Sequence, residues 1–89
     1  MDYPLLDAPP NDLRVTGYDL AHASHYLRLL DADAEDADWR EAATLVLGLD
    51  CEADPERARH VHAAHLERAR WMTLEGYKHL LTNRNLPKG

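Results

Sequence analysis

The sequence predicts an all-α fold: a small four-helix domain containing a helix-turn-helix variant with an extended turn. Three observations carry this. Apolar residues recur at helical spacing in successive segments, capping residues stand where those segments begin, and a short central helix is followed by a long one across the link GLDCEAD. A chain of 89 residues buries only about 60 to 65% of its unfolded surface, which makes one small core without a deep enzyme cleft.

Residues 1–15 hold three of the five prolines, Pro4, Pro9 and Pro10, and little periodicity, so they form an extended N-terminal arm on which Tyr3, Leu5 and Leu6 can dock. Residues 16–84 form the helix-turn-helix-like domain and 85–89 a C-terminal tail. Thr16 caps a first helix over about Gly17 to Leu30, with Leu20, Ala23, Leu27 and Leu30 as its inward stripe at i, i+3, i+7 and i+10. DADAEDAD, residues 31–38, then sets five carboxylates in eight residues. The run departs from a calcium loop at its sixth position, Asp36 where glycine belongs, and at its twelfth, Ala42 where glutamate belongs; it reads as a solvated acidic turn.

Asp38 opens the second helix, about Trp39 to Leu47, in a capping box with Glu41, and Gly48 closes it from the left-handed conformation. Trp39, Ala42, Ala43 and Val46 face inward. The third helix has the clearest start in the chain: Asp54 as cap, Pro55 at the first position where its missing amide costs nothing, and Glu56 complementing the dipole. Its inward face is Ala58, Val61, His65, Ala69 and Met72, with His62 and Leu66 flanking, and it ends near Met72. Thr73 caps a last helix carrying Leu74, Tyr77 and Leu81, which ends before Asn83.

Charge is divided unevenly along the chain. Residues 1–53 carry 3 Arg against 12 Asp and Glu, giving −9, and residues 54–89 carry 7 Lys and Arg against 4 acids, giving +3, for the net −6. An acidic half repels a duplex and favours a protein partner with a basic surface. No apolar run approaches the roughly 20 residues of a membrane span, and the acidic start MDYPLLDAPPND lacks the basic character of a secretory signal, so a cytoplasmic location is expected.

Chemistry-bearing patterns are sparse. A lone Cys51 has no specified histidine partner for nucleophilic work and reads as structural. Among six histidines no pair stands at i, i+4; His60, His62 and His65 have spacings of two and three, and His22 and His25, at i, i+3, could chelate, yet ordinary hydrogen bonds are the expectation, with no metal and no cofactor. No glycine-rich phosphate cradle exists among four scattered glycines, and the carboxylates fall on exposed turns. No enzyme and no small-molecule substrate are expected.

The third helix is the remaining candidate for a base reader. Arg59 and Arg70 lie on one side of it with Ala63, and Arg57 and Arg68 on another with Ala64 and Trp71, so its basic charge is split. Asp50, Glu52, Asp54 and Glu56 stand at the approach to phosphate, where they penalise DNA contact.

The segments YLRLLDADAEDADWREAATLVLGLD and PERARHVHAAHLERARWMTLEGYKHLL resemble the proteobacterial domain-of-unknown-function family 2285, common on integrative and conjugative elements. The resemblance covers about residues 18–81, and HLERARWMTLEGYKHLL is its most specific block. It implies a helix-turn-helix variant with an extended turn, found in activators of conjugative transfer and as a stand-alone antiactivator; single-domain length and acidity match the second kind. The implied partners are a transcriptional activator with an FseA-like N-terminal domain and a LuxR-type, TraR-like quorum-sensing regulator, with no nucleic acid and no membrane. The implied mechanism is mimicry of the activator's own such domain.

For that mechanism the candidate contact residues are the aromatics and histidine left over from the inward stripes: Trp71, Tyr77, Tyr26 and His79. The alternative function is a weak DNA-binding accessory transcription factor using Arg57, Arg59, Arg68 and Arg70. A DNA-mimic or antitoxin-like role, resting on the acidic turn, is a third.

Overall fold

A computed structural model describes residues 3–76. Four α-helices, α1 Gly17–Ala21, α2 Ala23–Ala34, α3 Trp39–Leu47 and α4 Pro55–Trp71, are followed by one π-helical turn, Met72–Gly76. The described residues contain no strand, so the all-α expectation holds, although the helices divide differently from the sequence reading.

The first predicted helix is interrupted at His22, whose φ of −107° and ψ of 17° leave the helical range. The ladder survives the interruption, because the His22 amide donates to the Tyr18 carbonyl and the Tyr26 amide to that of His22. Thr16 caps α1 in a full capping box: its hydroxyl accepts from the Asp19 amide, while the Asp19 carboxylate accepts from the Thr16 amide. At its other end α2 runs on through Ala34, taking in half of the acidic run. The turn shrinks to residues 35–38, where Asp36 adopts a left-handed φ of 59° and the Ala37 amide returns to the Ala32 carbonyl.

The inward stripe of this region also differs from the expectation. Leu20 and Leu27 are both 62% exposed, whereas Asp19, His22, Tyr26 and Leu29 are buried at the same i, i+3, i+7, i+10 spacing, one residue out of phase with the leucines. The helices bury a polar and aromatic stripe and leave leucine outside.

α3 and α4 match their predicted bounds within a residue. Asp38 caps α3 by accepting from the Arg40 amide, without the reciprocal Glu41 contact that the box required. Gly48 ends it with φ 69°, and the Leu49 amide folds back to the Ala43 carbonyl, seating Leu49 in the core. Residues 48–54 then link α3 to α4, where Asp54 accepts from the Arg57 amide ahead of Pro55. This is the helix, extended turn and helix that the sequence predicted.

Thr73 does not cap a new helix. It lies inside the π turn that continues α4, and its hydroxyl donates to the Arg70 carbonyl. The rest of the predicted last helix, with Tyr77, His79 and Leu81, lies outside the described residues.

Two apolar clusters hold the helices together. Ala43, Leu49, Ala58 and Val61 join α3 to α4, with Leu5 of the arm, Trp39 and Cys51 packed on their edge. Leu29, Ala42 and Leu66 join α2 to α3 and α4, and Leu47 touches both groups. Burying a leucine or valine side chain contributes roughly 1.5–3 kcal/mol, so cores of this size leave little margin. A polar cluster extends them.

Candidate protein-binding surface

The polar cluster decides which surface the chain can offer. Arg68, 8% exposed on α4, forks onto the fully buried Asp19: Nε donates to Oδ1 at 2.9 Å and Nη2 to Oδ2 at 2.7 Å. Its remaining donors reach the arm, Nη1 to the Asp12 carbonyl at 2.6 Å and Nη2 to the Arg14 carbonyl at 2.9 Å. Asp19 also accepts from the Tyr26 hydroxyl at 2.8 Å and from the Thr16 amide and hydroxyl at 2.9 Å. Burial pushes the Asp19 carboxyl upward, but the bonds from Arg68, Thr16 and Tyr26 outweigh it and hold it at about 2. The Asp19 hydrogen bond raises Arg68 in turn, and burial followed by Asp19 raises Tyr26.

Arg68 is therefore a core residue, which corrects its assignment to a DNA-binding set. The other three arginines of that set are also engaged. Arg57 donates from Nη2 to Asp7 of the arm at 2.7 Å, Arg70 pairs with Asp33 at 2.9 Å and Glu67 at 3.6 Å, and the Arg59 guanidinium lies 6.0 Å from the Trp39 ring centroid.

The candidate contact residues fare unequally. Tyr26 is 2% exposed and spends its hydroxyl on Asp19, so it is a core residue and not a free anchor, although it contributes to the lining of a surface groove. Trp71 is half-buried, with the Arg68 guanidinium 4.0 Å from its ring centroid, and it roofs the buried ion pair. Tyr77 and His79 lie outside the described residues.

The histidines stitch the arm to the helices. The Val61 carbonyl, 2.8 Å from His65 Nδ1, can only accept, so Nδ1 carries the proton and Nε2 accepts from the Tyr18 hydroxyl at 2.6 Å. Tyr18 in turn accepts from the Leu6 amide at 3.0 Å. His22 Nε2 donates to the Tyr3 carbonyl at 2.6 Å, which leaves its Nδ1 to accept from His25 Nδ1 at 3.0 Å. Burial lowers both His65 and His25, with positive neighbours adding to it.

Among the described residues the large exposed apolar side chains are mostly leucines. A groove of about 330 Å³ between α2 and the end of α4 is lined by Ala23, Leu27, Leu30, Ala69 and Met72. A second, of about 340 Å³, runs between α2 and α3 past Ala32, Ala42, Val46 and Leu45, the last 67% exposed. Leu13 and Leu20 stand out elsewhere at 86% and 62%. Exposed leucines beside grooves are surfaces that a protein partner can bury.

The leucine pattern conceals the Asp19–Arg68 pair, but two signals point to it. Asp19 stands three residues after Thr16, at capping-box spacing, and Arg68 falls with Val61, His65 and Met72 at i, i+4, i+7 and i+11 on the buried face of α4.

In comparison with known proteins, no family model matches the chain and no curated protein matches it in sequence. No helix among the described residues is long and apolar enough to cross a membrane.

Proposed function

We propose that the chain is an antiactivator of the QseM type: a small helix-turn-helix-like domain that binds a transcriptional activator of conjugative-element excision and transfer and blocks it without binding DNA. The resemblance to family 2285 names the partner class, an activator with an FseA-like N-terminal domain and, second, a TraR-like quorum-sensing regulator. The domain acts by mimicry, occupying the surface on which the activator's own helix-turn-helix domain packs.

One observation carries the preference for protein over DNA. Three of the four arginines that would meet phosphate are already paired with carboxylates of the chain itself: Arg68 with the buried Asp19, and Arg57 and Arg70 with Asp7 and Asp33 at the surface. A duplex gains from released counterions only when lysine and arginine are available to neutralise its phosphates. The frame of α3, extended turn and α4 persists while three of the four arginines on α4 are paired, and that suits a domain facing another protein.

Co-expression with an FseA-like activator tests the proposal. The tagged chain is expected to co-purify with the activator and to reduce transcription from its target promoter, with no gel shift of promoter DNA even at low salt. Absence of any complex overturns it, and a shift that fades steeply with salt favours the accessory-factor reading.

A further inference from the structure

We infer that the groove between α2 and α3 receives a basic amphipathic helix of the partner protein. The inference rests on the reading of the chain as a protein-binding domain, and it assigns that domain a contact site and the partner a surface chemistry.

The groove combines an apolar floor with an acidic rim. Ala32, Ala42 and Val46 form the floor and Leu45 stands beside them, 67% exposed, where it has no use in the core. Asp31, Glu35 and Glu41 line the rim, and among the described residues none of the three is in an ion pair. Their neighbours differ: Asp33 is held by Arg70 and Asp38 by Arg40. Residues 31–41 carry six carboxylates against Arg40 alone, a balance of −5, and among the described residues Arg28 is the one cation on the rim.

This charge selects the occupant. A nucleic acid or a second acidic surface is repelled, whereas lysine and arginine set against the rim are attracted and steered. A second copy of the chain carries the same acidic rim and a net charge of −6, so it is repelled as a whole, and its Arg57, Arg68 and Arg70 are already paired. A groove between two helices accepts side chains spaced i, i+3, i+4 and i+7, the pattern of an amphipathic helix. The partner's apolar anchors seat on Ala32, Leu45 and Val46, and its flanking cations meet Asp31, Glu35 and Glu41.

The probe is a fluorescein-labelled synthetic helix with leucines at i, i+3, i+4 and i+7 and lysine or arginine on either side, beside a peptide of the same composition with shuffled leucines. Anisotropy titration is expected to show salt-dependent binding of the patterned peptide and affinity lower by about tenfold or more for the shuffled one. Amide shifts should centre on Ala32, Leu45 and Val46. Leu45→Arg and the pair Glu35→Lys with Glu41→Lys, all at exposed positions and checked for helicity by circular dichroism, should each lose about tenfold. Equal binding of the shuffled peptide, shifts centred on the α2–α4 groove, or variants that bind as wild type overturn the inference.

Co-purification of the same variants with the activator separates this inference from the function it rests on. An activator held equally by wild type and variants leaves the antiactivator reading standing and removes the groove. A patterned peptide seated in the groove with no activator bound does the reverse.

Discussion

At the scale of single residues, the Asp19–Arg68 pair makes the sharpest demand. A buried ion pair offsets the desolvation of its charges only while both partners are present. Arg68→Ala leaves a fully buried carboxylate without its cation and is expected to cost about 3–5 kcal/mol, a large share of the 5–15 kcal/mol typical of a whole domain. Urea denaturation followed at 222 nm measures it. A surface arginine used only for phosphate would leave the midpoint unchanged, which would contradict the core assignment. The same cluster fixes the response to acid. Asp19 sits at about 2 in the folded chain against an ordinary 3.8, so its contribution, on the order of 2 kcal/mol, is complete above pH 4 and lost as pH falls towards 2. His65 and His25 are also lowered, so the unfolded chain takes up protons first and stability begins to decline as pH drops below about 6.5. Urea midpoints at pH 8, 5 and 3 are expected to fall in that order, and a midpoint unchanged between pH 8 and 5 would remove the neutral-histidine assignment.

At the scale of elements, the start and stop signals of α3 and α4 are legible because they are local. Asp54 and Pro55 act on the first turn alone, and Gly48 adopts φ 69° for its own carbonyl-rich helix end. Gly48→Ala meets nothing within 4 Å, so its cost is conformational, about 1 kcal/mol, and Asp54→Ala removes a cap for about the same. Each should lower the thermal midpoint by roughly 4–8 °C in a domain of this size. An unchanged midpoint would show that the cap in question is dispensable. The phase of α1 and α2 is not legible in the same way. Counting leucines selects Leu20 and Leu27, but the face that turns inward is chosen by a partner 49 residues away, Arg68, which draws Asp19 and with it Tyr26 and His22 into the core. Hydropathy cannot register a satisfied buried pair, and for the same reason Tyr26 looks like an interface aromatic until its hydroxyl is found on Asp19. Leu45, by contrast, belongs to a helix whose predicted inward residues are buried or partly so, and spacing alone sets it outside them.

At the scale of the whole molecule, the arm and the helices form one hydrogen-bonded unit. Arg68 takes two of its four acceptor contacts from the Asp12 and Arg14 carbonyls, His22 donates to Tyr3, Tyr18 accepts from Leu6, Arg57 pairs with Asp7, and Leu5 packs on the α3–α4 cluster. These contacts join residues 3–14 to α1, to the junction between α1 and α2 and to α4 at once, although prolines and weak periodicity make the same segment read as a loose extension. A chain lacking residues 1–15 therefore loses partners for buried donors as well as apolar area. Each donor left without a partner costs about 1–3 kcal/mol, reduced where water can enter. The truncated chain is expected to be less stable by on the order of 3 kcal/mol and to show faster amide exchange at Tyr26 and Ala69, beside the opened cluster. A tether would give a different result, with the urea midpoint and the exchange pattern both preserved. Removing the arm also frees Arg57 from Asp7 and takes three carboxylates with it, so the truncated chain should gain weak, salt-sensitive retention on heparin that the whole chain lacks. Equal retention of the two chains would mean that the arm does not mask the cations of α4.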